Sequence, residues 1–332
     1  MTRRLALTMC IAAAACGGSG SKNPTAPDSP RVLQGQTVSA IDGAATGVVN
    51  VQVGNHFVIQ TDANGNFQVD VGGPGTYGAV VTGSPVVERH TTVTGPTSDR
   101  TKVALIPATF DLQAFDEMFR TSNKRLQRWT TRPSVVVLGT VMKYVNGNTE
   151  QYEATGERVT DDEVAALLGH LNEGLALLTA GTFTSFGAVD IERPQQGDQV
   201  SVRRAGKIVV GRYTGISTLA HTIGYGNWAE QPDGTVIGGS IWLDRDFDRD
   251  DARRRLLRIH ELGHALGYSH VTVRTSIMNP AIGPEPTDFD RAAATIAFQR
   301  PVGNTSPDTD PASGPRTFSI SDGSARWSTP IR

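Results

Sequence analysis

The chain has 332 residues, with 31 Lys and Arg against 33 Asp and Glu, which gives a net charge of −2 at neutral pH. This length predicts two folded units with flanking tails, because a typical domain holds about 100–200 residues. The near-neutral balance, with no basic stripe along the sequence, excludes the electrostatic footprint of a nucleic-acid-binding protein.

The first fifteen residues have the pattern of a secretory signal peptide. Arg3 and Arg4 precede a short apolar run, Leu5 to Ala15, which is too short to span a bilayer. Small residues lead to Cys16, and this arrangement resembles the processing site of bacterial lipoproteins, in which that cysteine is acylated. The sequence therefore predicts a signal peptide at 1–15, lipidation of Cys16 and attachment to a bacterial membrane at the outer membrane or cell surface. The alternative is an ordinary secreted protein.

Two stretches of different composition follow the predicted lipidation site. Residues 16–30 are rich in Gly, Ser and Pro, which predicts a flexible tether. Residues 31–106 contain short Val-rich runs separated by Gly, Pro, Asn and Asp, which predicts a small all-β sandwich. The Asn-Gly pair within Asp62 to Asn66 indicates a hairpin turn. The segment Thr61 to Phe67 resembles the carboxypeptidase-regulatory or transthyretin-like β-sandwich modules of exported bacterial proteins.

Helical patterns appear after Pro107. Apolar residues at helical spacing predict a helix from Asp111 to Arg120 that extends to Trp129, and Val135 to Val145 has the pattern of a strand. The segment Thr160 to Glu163 is a capping box that opens a long amphipathic helix. Further strands are predicted at Gly187 to Glu192, Lys207 to Arg212 and Val236 to Leu243.

The alternation of strands and helices predicts an α+β or α/β domain at 108–300. The remaining residues, 301–332, are rich in Pro, Ser, Asp and Gly, which predicts a disordered tail.

The residues that indicate a catalytic metal site are concentrated in the segment His260-Glu261-Leu262-Gly263-His264. Two histidines four residues apart lie on one face of a helix, where they can share a metal ion. Glu261 follows the first histidine and can act as a general base on a zinc-bound water. Gly267 can end the helix at a positive φ, so that His270 turns back as the third ligand and leaves the fourth zinc position open.

The pattern His260-Glu261-x-x-His264-x-x-Gly267-x-x-His270 resembles the zinc signature of the metzincin peptidases. Metzincins also have a methionine-containing turn after the third histidine, and Ser276-Ile277-Met278-Asn279-Pro280 matches it, with Met278 as an apolar floor beneath the imidazoles. The compact turn and the following segment look most like the matrixin branch.

The resemblance implies an α+β metzincin-like fold with a mixed sheet over residues 108–300, one catalytic Zn²⁺ and no covalent intermediate. It also implies that Val236 to Leu243 is the antiparallel edge strand that pairs with substrate, that the Thr160 helix packs behind the sheet, and that Thr287 opens the C-terminal helix. The implied function is a zinc metalloendopeptidase that cleaves extracytoplasmic proteins or peptides by Glu261-assisted attack of a zinc-bound water.

Other interpretations stay open. The acidic run Asp244 to Asp251 could bind Ca²⁺, although it lacks the turn glycine and terminal Glu of an EF-hand, and it more simply favours the start of the zinc-site helix. A rival function is a non-enzymatic surface lipoprotein that binds a protein or glycan and has an idle or structural zinc site. A zinc amidase acting on cell-wall peptides would share the metal chemistry but would not need the extended motif.

Overall fold

The computed structural model of the protein describes residues 31–121, 124–145, 148–215, 222–312 and 326–327. The predicted signal peptide, the tether and Cys16 lie outside these residues. Within the described ranges, no helix combines the length and apolar character that crossing a membrane requires. The described chain consists of an N-terminal all-β region followed by a larger region of mixed sheet and helices.

The N-terminal region has seven strands in two sheets, ordered β4-β1-β7 and β3-β2-β5-β6. These strands are β1 (Val32–Ser39), β2 (Asn50–Val53), β3 (Ile59–Gln60), β4 (Asn66–Asp70), β5 (Gly75–Thr82), β6 (Arg89–Gly95) and β7 (Thr101–Leu105). Alternate residues along β2 and β4 are buried, as expected of strands with one apolar face. The buried side chains of both sheets form one apolar cluster, an arrangement compatible with the predicted β-sandwich.

The predicted turn between β3 and β4 is present, but it does not close a hairpin. The Asp62 carboxylate accepts hydrogen bonds from the backbone N–H groups of Asn64 at 2.9 Å and Asn66 at 2.8 Å, and Gly65 has a φ of +75°. However, β3 pairs with β2 whereas β4 pairs with β1. The hairpin prediction was wrong because turn chemistry fixes the local geometry and not the partner of each strand.

In its described residues, the second region is built on a nine-stranded sheet. Its strands are β8 (Ser134–Leu138), β9 (Thr140–Val145), β10 (Asn148–Arg158), β11 (Val189–Glu192), β12 (Gln199–Ser201), β13 (Lys207–Tyr213), β14 (Gly224–Glu230), β15 (Val236–Asp244) and β16 (Arg326–Trp327). Along β11-β8-β13-β15 the pairs are parallel, whereas β14 runs antiparallel to β15. The predicted strand from Val135 to Val145 is divided at Gly139 into β8 and β9, which both pair with β13.

Five helices accompany this sheet in the described part of the chain: α1 (Leu112–Phe119), α2 (Asp161–Leu178), α3 (Arg245–Asp250), α4 (Arg254–Ala265) and α5 (Asp288–Gln299). The predicted capping box opens α2, with the Thr160 hydroxyl and the Glu163 carboxylate bonded to each other's backbone N–H groups. Thr287 caps α5 in the same way. Helix α2 packs closely against α4. Gly174 has no side chain, and a Cβ atom placed on it would lie only 3.1 Å from the Leu262 side chain.

Helix α1 is shorter than the sequence predicts. It ends at Phe119, and the later residues Arg125 and Arg128 form isolated β-bridges with Thr305 and Thr235. The apolar spacing that predicted an extension to Trp129 instead reflects packing of an irregular segment into the core, where Leu126 and Trp129 are buried.

The segment 301–312 belongs to the folded protein, so the prediction that disorder begins at residue 301 was wrong. The buried Asp308 carboxylate accepts from Arg89 of β6 at 2.7 Å and from Arg300 at 2.8 Å. Arg300 also donates to the Ala104 carbonyl of β7 at 3.0 Å. The polar composition predicted disorder, but these polar groups are paired inside the structure. The segment therefore connects the N-terminal sheets to the larger region.

We expect Asp308→Ala to lower the free energy of unfolding by about 3–5 kcal/mol, because it leaves two buried guanidinium groups without their shared carboxylate. Urea denaturation followed by circular dichroism measures this change. The control Asp99→Ala removes an exposed carboxylate and should shift the midpoint little. Equal, small effects of both substitutions would contradict the structural role of Asp308.

Candidate metal centre

Helix α4 presents two histidines to the same side. His260 and His264 are separated by one turn, and their ring centroids lie 4.8 Å apart. Leu257, Ile259 and Leu262 are buried in the apolar core, so the helix is fixed to the domain by its other faces.

The turn after α4 brings in the third histidine. Gly267 has a φ of +99°, a conformation that L side chains rarely adopt, and a Cβ there would lie 2.8 Å from Val236. The N–H of Tyr268 donates to the Gly263 carbonyl at 2.9 Å, which closes the end of the helix. The chain then reverses, and the Nε2 atoms of His264 and His270 lie 3.2 Å apart. The three predicted ligands are therefore brought together.

The two helix imidazoles are oriented by main-chain carbonyls. The Nδ1 atoms of His260 and His264 lie 2.7 Å from the carbonyl oxygens of Ile277 and Tyr268, so Nδ1 carries the proton and donates it. The Nε2 lone pairs then point into the site. Burial lowers the pKa of His260 to about 4 and also lowers the pKa values of His264 and His270. All three rings are therefore neutral near pH 7, as metal ligation requires.

This donor set fits a zinc ion. Three neutral nitrogen donors converge, and the Nε2 of His264 lies 3.2 Å from those of both His260 and His270. Lone pairs that face one another at this distance repel, and a cation between them removes the repulsion. Imidazole nitrogen is a preferred ligand of zinc, and three protein ligands are typical of catalytic zinc sites.

Glu261 lies beside the histidines and is buried. Its Oε2 atom has no hydrogen-bond partner among the described residues, and burial raises its pKa well above the ordinary value. A Cβ on Gly224 would lie 2.7 Å from Oε1, so β14 passes directly over this carboxylate. The carboxylate borders a cavity of about 200 Å³. Besides the three histidines, the lining residues include Thr222, Ile223, Leu257, Pro280, Ala281 and Ile282.

Met278 lies beneath α4, where a Cβ on Gly263 would collide with its Sδ atom. The turn that carries it is held by Asp290 of α5, which accepts from the Ser276 hydroxyl and, at 3.1 Å, from the Ile277 N–H. This role of Asp290 was not predicted from the sequence. The pattern Thr287-x-x-Asp290 indicated a helix start but not this second contact.

The acidic run before α4 is engaged in hydrogen bonds. Asp244 caps α3 by accepting from the N–H groups of Asp246 and Phe247. Asp248 is fully buried and accepts from Arg212 at 2.7 Å and Arg258 at 2.6 Å. Arg258 is buried within the domain as well, so it is not a solvated partner of the acidic run.

Near the site, β14 forms the edge of the sheet, because among the described strands its outer side pairs only with the two-residue β16, at Ala229 and Glu230. The prediction that Val236 to Leu243 is the edge strand was wrong, since β15 pairs with β13 on one side and β14 on the other. A Cβ on Gly226 of β14 would lie 2.5 Å from His264 Cβ, which shows how closely β14 approaches α4. His221, for which the sequence favours a structural loop role over a place at the cleft, lies outside the described residues.

Glu117 of α1 holds the chain directly after the third histidine. Its carboxylate accepts from the Thr272 N–H at 2.7 Å, from the Thr272 hydroxyl at 3.2 Å and from the Val273 N–H at 3.4 Å. The neighbouring Met118 carbonyl accepts from the Ser269 N–H at 2.9 Å. Helix α1 therefore fixes the backbone on both sides of His270.

We expect Glu117→Ala to weaken zinc binding by about tenfold, because loss of these contacts lets the His270 ligand move. Competition with a chromogenic zinc chelator measures the affinity. Gln113→Ala changes an exposed residue of the same helix and serves as the control. Unchanged affinity in Glu117→Ala would contradict this role.

Glu163 should make stability depend on pH. Burial opposes its ionisation, yet hydrogen bonds from the Thr160 N–H and from Arg212 lower its pKa from 4.5 to about 2. Because the folded-state pKa is depressed, the stabilisation is complete above about pH 4.5 and is lost as the pH falls toward 2. Urea midpoints measured over this window should fall less steeply in Glu163→Gln. Glu157→Gln, which removes an exposed ion-pair partner, should keep the original profile.

Comparison with known proteins agrees with this geometry. The family model for matrixin, a peptidase family, matches residues 214–293, which include the three histidines, Glu261 and Met278. No curated protein matches the chain. The match supports a metzincin-type metallopeptidase.

Proposed function

We propose that the protein is a zinc-dependent endopeptidase that cleaves extended segments of extracytoplasmic proteins. The observation that carries the proposal is the position of Glu261. Its unpartnered oxygen is buried at a cavity whose wall is formed by three neutral imidazoles. A purely structural zinc site would use four protein ligands and would not need a buried carboxylate beside them.

Each residue of the site has a part in this chemistry. His260, His264 and His270 would hold zinc through their Nε2 atoms. Bound zinc would supply Lewis acidity, which polarises a carbonyl and makes water more acidic. Glu261 takes the proton from the attacking water and passes it to the nitrogen of the leaving amine. A raised pKa allows this carboxyl group to hold the proton between the two steps, so no covalent bond between the protein and the substrate is needed.

The substrate class follows from the strand beside the site. Strand β14 passes over Glu261 and runs antiparallel to β15. An extended peptide can add to such a strand through main-chain hydrogen bonds, which favours unfolded or loop segments over compact folds. The proposed signal peptide and the proposed acylation of Cys16 would place this activity outside the cytoplasm, at a membrane surface.

We expect Glu261→Ala to lower kcat by about 10²–10⁴-fold while the protein still binds one zinc ion, because the carboxylate moves a proton and does not ligate the metal. His264→Ala should lose both zinc and cleavage. Metal analysis and digestion of a denatured protein mixture, with cleaved bonds identified by mass spectrometry, measure both quantities.

The same experiment distinguishes the proposed peptidase from the rival function, a non-enzymatic surface module. If the original protein and Glu261→Ala bind zinc equally and neither cleaves the mixture, the peptidase proposal is wrong. A surface module with an idle zinc site would then be the better account. Chelator-sensitive cleavage that disappears in Glu261→Ala supports the peptidase.

A further inference from the structure

A short C-terminal segment pairs with β14 on the side that does not face β15. Strand β16 pairs antiparallel with β14, with Trp327 opposite Ala229 and Arg326 opposite Glu230. Strand β15 occupies the other side of β14, so β16 is the outermost strand at this end of the sheet. Among the residues that the structure describes, no other strand pairs with this side of β14.

The opposite end of β14 reaches the metal centre. A Cβ on Gly224 or Gly226 would lie within 2.7 Å of atoms of Glu261. Ala229 is the fifth residue after Gly224, and five steps correspond to roughly 17 Å of extended strand. The β16 pairing site and Glu261 therefore lie along one continuous strand edge.

The direction of β16 leads toward the metal centre. Two antiparallel strands run in opposite directions. Each residue further along the added strand therefore pairs with the preceding residue of β14. A peptide that pairs as Trp327 does, and continues in register, comes opposite Gly224 after five further residues. Residues 328–332 follow Trp327 in the sequence. A peptide substrate that adds antiparallel to β14 would run in this same direction.

We propose that β16 (Arg326–Trp327) is a tethered peptide ligand of the β14 edge and competes there with peptide substrates. A strand edge pairs with one partner at a time, so β16 blocks any substrate that reaches Ala229. Tethering gives such a segment an effective concentration on the order of millimolar, which lets a weak contact persist. Competition rests on the proposed peptidase function, whereas the docking does not.

Hydrogen exchange tests the docking without any need for catalysis. The full chain carrying Glu261→Ala is compared with the same chain carrying Trp327→Pro as well, because proline has no N–H and disrupts strand pairing. We expect amides of Trp228 to Glu230 that face β16 to exchange about tenfold faster in the Trp327→Pro chain. Ser319→Pro, a change elsewhere in the same tail, is the control and should leave this exchange unchanged. Equal exchange in all three chains would overturn the proposal.

Kinetics test the competition in chains that keep Glu261. Trp327→Pro should lower KM about threefold for a peptide long enough to reach Ala229, with kcat unchanged. A synthetic peptide of residues 321–332, added in excess, should restore the original KM. An unchanged KM despite faster exchange would refute the competition. If no chain cleaves any substrate, the peptidase function fails while hydrogen exchange still decides the docking.

Discussion

Helix α4 and the two strands β14 and β15 approach each other so closely that side chains are excluded between them. A Cβ on Gly226 would lie 2.5 Å from the Glu261 carbonyl, and one on Gly239 would lie 2.8 Å from the Ala265 carbonyl. This contact fixes the height of the helix over the sheet. It therefore fixes the distance between Glu261 and the edge of β14. A side chain at either glycine would push the helix away and widen the site.

The orientation of the histidines depends on elements that follow α4 in the chain. The Nδ1 protons of His260 and His264 are held by carbonyls of Ile277 and Tyr268. The turn containing Ile277 is held in turn by Asp290 of α5. A chain of hydrogen bonds thus runs from the C-terminal helix to the imidazole of His260. Such contacts behind metal ligands commonly tune metal affinity as strongly as the ligands' own geometry does.

The sequence predicted the parts of the site that depend on local geometry. The spacing of His260 and His264 fixes their common face on a helix, and Thr160 and Thr287 mark helix starts through short-range hydrogen bonds. The edge strand could not be predicted from propensity. Strand β14 contains two glycines and an asparagine, which are depleted in strands, because close contact with α4 requires the glycines.

Other features depend on tertiary contacts. Burial does not distinguish β15 from β14, because both strands are buried along their whole length. Only the pairing of β15 with β13 and β14 shows that β15 is internal, and pairing cannot be read from the sequence. The sequence did not predict that the polar residues of β10 form a strand or that the segment 301–312 is ordered. Their polar residues are satisfied by partners distant in sequence, which composition alone does not show. The pairing of Arg258 with Asp248 is of the same kind.

The buried carboxylate of Asp308 sets a limit on how far the protein can be shortened from its C-terminal side. Asp308 and Asp310 both bind Arg89 of β6, so the contacts between the two regions extend along the chain to Asp310. Proteolytic trimming that removes β16 leaves these ion pairs intact. Trimming about sixteen residues further would remove Asp310, and two more would remove Asp308, which leaves the buried Arg89 without both carboxylates. Natural or engineered truncation therefore has a boundary just after Asp310.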